Sequence, residues 1–234
     1  MTYVIKRKLL SISKSDNNYN MRRILMDFMV TIRNNTDALH LASEKTGFIK
    51  RLFEGKASKE GYIEYIFNLH AMYKAIEDSL DKHLNHESIK YFVTKELYRA
   101  ELIKKDLQVL AGDKLSEMKL LPSTEACVAR INEVNEEHPE LIVTYAYVRF
   151  IADLFGGRMF PEVLTKNYDI PKDALNYYIQ PNVGNIRDYV MDYHKNFEKL
   201  NLSEHMQKLF AIEISNVYIY NMAISSELDA KLYR

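Results

Sequence analysis

Cysteine is almost missing from this 234-residue chain: Cys127 stands alone. A single cysteine closes no internal disulfide and builds no CxxC metal or redox motif, and it fits a reducing, cytoplasmic compartment. Turn-formers are also scarce, with 7 glycines and 5 prolines. So few breaks, so widely separated, argue against many short strands and for long helices. Net charge is absent too, because 32 Lys and Arg face 32 Asp and Glu. Nothing global therefore draws the chain to nucleic acid or to an anionic membrane. No apolar run is long enough to span a bilayer. No phosphate-binding or dinucleotide glycine loop occurs. None of the 7 histidines has a glutamate three residues before it, which excludes a di-iron carboxylate bundle.

What is present is an ordinary globular balance, 47% hydrophobic and 27% charged. A chain of this length buries a sizeable core without disulfides or structural metal. Residues 1–20 read as an N-terminal extension, with Lys6, Arg7 and Lys8 followed by too short an apolar stretch for a signal peptide. Residues 21–234 read as one all-α domain, a bundle of about eight helices. The clearest is Ser58 to Leu84, where Tyr62, Ile66, Leu69, Tyr73, Ile76, Leu80 and Leu84 form one apolar stripe. Ser58 is placed to cap it, and Glu60 suits its positive first turn. Further helical patterns cover Met21 to Ser43, Ser88 to Leu110, the stretch opened by Pro122, Leu141 to Leu164 interrupted by Gly156-Gly157, the stretch after Pro181-Asn182, and Ser203 to Leu232.

Two segments depart from plain core-building. In the first, Arg33, Thr36 (or Asp37), His40 and Glu44 fall on one helical side. Imidazole is a good iron ligand, and a carboxylate one turn later can support it. Taken alone, this segment is better explained as a polar helix face with an incidental histidine. The second runs from Tyr145 to Arg158 and places Arg149, Asp153 and Gly156-Gly157 at successive turns. Glycine inside a helix costs roughly 1 kcal/mol relative to alanine, so something must offset it. Close approach of the backbone to a flat ligand is one reason. A helix C-cap, with Gly157 left-handed, is the simpler one.

Together the two segments resemble the heme oxygenase family. Its proximal helix carries Thr, then His four residues on, then Glu four further; these are Thr36, His40 and Glu44. Its distal helix carries Tyr-x-Arg-(Tyr/Phe)-x-Gly-Asp-x-x-Gly-Gly, here Tyr147, Arg149, Phe150, Asp153, Gly156 and Gly157. The similarity continues through Leu69 to Glu77, His138 to Leu141, Pro181-Asn182 and Tyr218 to Asn221, roughly Asp27 to Leu228 in all. The resemblance implies heme held between a proximal and a distal helix and cut by O2 and an external reductant to biliverdin, Fe(II) and CO. His40 would be the axial iron ligand and Glu44 its polar neighbour. Gly156 and Gly157 would let the distal helix lie over the ring. Asp153 would hold a water network with Tyr73, Arg149 and Asn221. Arg33 and Tyr147 would meet the propionates. The electron donor would be a ferredoxin, a flavodoxin or a flavin reductase.

Four positions depart from the family pattern. Ala152 replaces the glycine before the aspartate. His194 replaces a propionate-binding arginine, and Val190 a lysine. Arg187, Lys195 or His194 itself would have to compensate. Cys127 stands where some members place a tyrosine of the distal network. Two other readings follow: a heme-binding or heme-storing protein that does not degrade its ligand, and a related bundle, such as a thiamine-degrading one, with Cys127 as nucleophile. His83, His86 and Glu87 read as a solvated polar face and not as a metal site.

Overall fold

The computed structural model describes Val30, Ile32, Asn34 and residues 36–233. Residues 1–20 and Arg33 lie outside the described residues. Among those described there is no strand. The helical run α1 (36–44) is followed by α2 (Gly47–Phe53), α3 (Lys59–Asp81), α4 (Ala100–Ala111), α5 (Pro122–Glu137), α6 (Ile142–Gly156), α7 (Phe160–Tyr168), α8 (Ile186–Lys195) and α9 (Glu204–Tyr233), with short 3₁₀ turns between them.

Helix α3 is the central element and packs against α4, α5, α6 and α9. Its stripe explains why: Tyr62, Ile66, Tyr73, Ile76 and Leu80 are fully buried, and Leu69 nearly so. Ser58 caps it by accepting a hydrogen bond from the Gly61 amide at 3.0 Å. The stripe ends sooner than its sequence period, because the helix stops at Asp81 and Leu84 is exposed.

The segment Ser88 to Leu110 is not one helix, which corrects the expectation. Two 3₁₀ turns, Ile89–Phe92 and Lys95–Leu97, precede α4. The reason is tertiary. Glu77 of α3 is buried, and its Oε1 accepts the backbone amides of Arg99 at 2.5 Å and Ala100 at 3.0 Å. It satisfies two of the four orphan donors at the start of α4 and so fixes where that helix begins.

Helix α9 closes the domain. The buried Glu213 joins three helices by accepting from Arg130 of α5 at 2.7 Å and Tyr145 of α6 at 2.6 Å. At the other end, a methyl at Gly47 would lie 2.5 Å from the Ser225 backbone, and its φ is +62°. Only glycine lets α2 meet α9 this closely. The contact is tied by Ser225 Oγ, which accepts from the Ile49 amide at 3.1 Å and donates to the Thr46 carbonyl at 3.0 Å.

Candidate active site

A cleft of about 870 Å³ opens between α1, α6 and α9, a size suited to one small ligand. His40, Ser43, Glu44 and Lys45 reach it from the α1 end. Tyr147, Arg149, Ala152, Asp153 and Phe155 line it from α6, Gly157 and Met159 from the turn that follows, and Tyr218 and Asn221 from α9. Phe155 and Met159 are among the most exposed large apolar side chains of the described residues. Apolar groups kept in the open around a cleft mark a ligand surface.

The His40 side chain is half exposed, with Glu44 Oε1 3.7 Å from its Nε2. The Tyr218 ring meets it edge-on at a centroid distance of 6.0 Å. Buried Thr36 donates back to the Ile32 carbonyl at 2.9 Å and is not part of the cleft wall.

The α6 side carries a polar network in an otherwise apolar setting. Tyr73 of α3 donates to Oδ2 of Asp153, and Tyr177 donates to Oδ1 at 2.9 Å. Arg149 donates to the Tyr73 oxygen at 3.0 Å and to the Tyr177 oxygen at 3.2 Å. Burial pushes both phenols well above the ordinary tyrosine range, so they remain proton donors. Burial would lower the Arg149 pKa, but Tyr73, Tyr177 and Asp153 outweigh it and raise the value. The guanidinium therefore stays charged.

Gly157 does not end a helix in the left-handed region. Its φ and ψ are −59° and −21°, right-handed values any residue adopts. A methyl there would meet only the Tyr178 ring, at an ordinary 3.8 Å. Neither backbone nor packing requires the glycine, yet it lines the cleft. Gly156 is the last residue of α6.

The structure thus brings His40, Glu44, Tyr147, Arg149, Asp153, Gly157 and Asn221 to one cleft, with Tyr73 directly behind Asp153. It does not bring Arg187 or His194 to the wall. Arg187 is exposed at the start of α8. His194 lies behind Tyr147, ring centroids 5.6 Å apart, and burial lowers its pKa. Mostly neutral near pH 7, it is no substitute for a permanent cation. Lys195, the other candidate, pairs with Asp192 at 2.6 Å. Cys127 is buried, absent from the cleft wall, and pushed up to about 12 by burial, which removes it as a nucleophile. His83 bonds Asn135 at 2.8 Å, and no metal-holding cluster of three such side chains occurs among the described residues. Sequence reasoning missed Tyr177. Its one signal was a tyrosine pair shortly before Pro181-Asn182.

Fold and site together define an all-helical protein built around a slot with an imidazole and a glycine-bearing turn on its walls. Residues 26–227 match the heme oxygenase family model, and the chain belongs to that family. Heme oxygenase 2 of Rattus norvegicus is 29% identical over 210 residues, covering 88% of this chain and 66% of that protein. The chain thus spans just under two thirds of the rat protein's length. Heme oxygenase of Rhodella violacea is 26% identical, with 87% of each chain covered. Among solved structures, heme oxygenase-1 of Synechocystis in complex with heme superposes with a TM-score of 0.81 at 23% identity, over 88% of this chain and 93% of that one. Heme oxygenase of Leptospira interrogans gives 0.79 at 26% identity, over 86% and 98%.

Proposed function

We propose that this chain is a heme oxygenase, taking heme into the cleft and cleaving it to biliverdin, Fe(II) and CO. The observation that carries the reading is Gly157. A right-handed glycine with room for a methyl, on the wall of the cleft that also holds His40, is explained by a flat ligand lying against the backbone. Heme, when bound, would supply the iron that activates O2 and the ring that is oxidised.

The protein's own groups divide the remaining work. His40 would offer a ring nitrogen to the iron, with Glu44 close enough to steady the ring. Asp153, fixed by two phenols, would hold a water at the cleft and pass a proton through it. Phe155, Met159 and Phe160 would shield that proton path from bulk water. Gly156 and Gly157 would leave the distal side open to O2. Tyr147 would meet a propionate, with Arg33 as a second partner; Lys45, a cation on the cleft wall, is also available. Electrons would come from a ferredoxin, a flavodoxin or a flavin reductase. A lone, buried, unpaired thiol fits a reducing, cytoplasmic compartment. Among the described residues, no helix is long and apolar enough to cross a membrane.

One feature favours a second reading. Ala152 puts a methyl group on the cleft wall beside Asp153, and a crowded oxygen site would leave a heme carrier without turnover. Titration with hemin followed by ascorbate under air separates the two. Loss of the Soret band with appearance of a bilin supports the enzyme, and a persistent oxygen-bound spectrum supports the carrier. Failure of the purified chain to take up hemin would sink both.

A further inference from the structure

We infer that Tyr177 is a positioning residue for Asp153, supplying from the turn before α8 the network hydroxyl that Cys127 cannot supply from α5. The inference rests on the function proposed above. With Tyr73 alone, Oδ1 of Asp153 would keep only the Arg149 guanidinium, 3.9 Å away and beyond hydrogen-bond reach. The Tyr177 hydroxyl lies 2.9 Å from that oxygen, so each carboxylate oxygen has its own phenol. Each phenol has one proton, and each gives it to Asp153. Their mutual distance of 3.1 Å is therefore proximity and not a third donation. Arg149 fills both phenol oxygens from behind, which turns both protons toward the carboxylate.

The turn that carries Tyr177 is itself anchored. Asp106 of α4 is fully buried. Its Oδ2 accepts the Tyr177 amide at 2.8 Å, and its Oδ1 accepts the Asn176 amide and side chain, each at 2.8 Å. Such a set of charge-assisted bonds is built to hold a short 3₁₀ turn in one place. Cys127 is also buried, but it carries a weakly donating thiol in place of a phenol.

The test is Tyr177→Phe, read first without heme. In protein labelled with ¹³C at aspartate carboxyls, the Asp153 resonance, assigned by its loss in Asp153→Asn, should shift in Tyr177→Phe. Hemin affinity should stay within about twofold, since the ring and the cleft wall are kept. The rate of bilin formation should fall about tenfold, the worth of one hydrogen bond to a charged group. Placing 3-fluorotyrosine at position 177, which keeps the donor, should restore that rate. An unmoved resonance overturns the inference, and so does a moved resonance with an unchanged rate. If the wild-type chain takes up no hemin, the functional reading fails, while the resonance still decides whether Tyr177 holds Asp153.

Discussion

At position 157 a glycine occupies a backbone conformation in which alanine is the more stable residue. Gly157→Ala should therefore stabilise the heme-free protein by up to about 1 kcal/mol, read by urea unfolding. The same methyl should weaken hemin binding, because it enters the cleft. Opposite signs in the two measurements are expected, and a destabilised heme-free protein would show that packing demanded the glycine. His40→Ala should remove the axial imidazole signature from the electronic and spin-resonance spectra of the hemin complex. An unchanged spectrum would assign the ligand elsewhere. Both positions were legible as residues because each lies in one helix or directly at its end, where helical spacing survives folding. Tyr177 was not. It owes its place to Asp106, seventy-one residues earlier, and no periodicity links a 3₁₀ turn to a helix it merely touches.

Among the elements, α4 shows how a buried carboxylate sets a helix start. Burial pushes Glu77 up to about 7, against an ordinary 4.5, despite the two amides that lower it. The folded chain thus binds a proton more tightly than the unfolded chain. The resulting stability is fully present below about pH 4.5 and is lost as pH rises through about 7. Its size is on the order of 3 kcal/mol. Glu77→Gln keeps an acceptor for both amides without the buried charge. It should flatten the stability profile between those pH values, as measured by thermal unfolding across buffers. Gly47→Ala acts on the α2–α9 junction. Its methyl would strike the Ser225 backbone from a left-handed φ, so a loss of about 3 kcal/mol is expected in denaturant unfolding. The long helices were legible from the sequence where one apolar stripe runs unbroken, as from Tyr62 to Leu80. The break between Ser88 and Ala100 was not, since it is imposed by Glu77 from another helix.

For the molecule as a whole, a ligand held by several helices at once should be felt everywhere. Hemin at about a hundred times its dissociation constant adds about 2.7 kcal/mol. For a domain of this size that raises the melting temperature by about 5–10 °C. Scanning calorimetry should show this rise in the wild type and a smaller one in His40→Ala. An equal rise in both would mean that hemin binds without His40. The overall architecture was legible because sparse glycine and proline leave little besides helices. The expected compensating cations were less so, since neither His194 nor Arg187 reaches the cleft wall. The buried Asp106 has one more consequence. It belongs to a helix that contributes nothing to the lining of the cleft, yet it fixes the turn on which a cleft residue stands. Any sorting of relatives by wall residues alone would pass over position 106. A variant there would look like a failure of chemistry in an intact pocket, and its cause would be sought in the wrong helix.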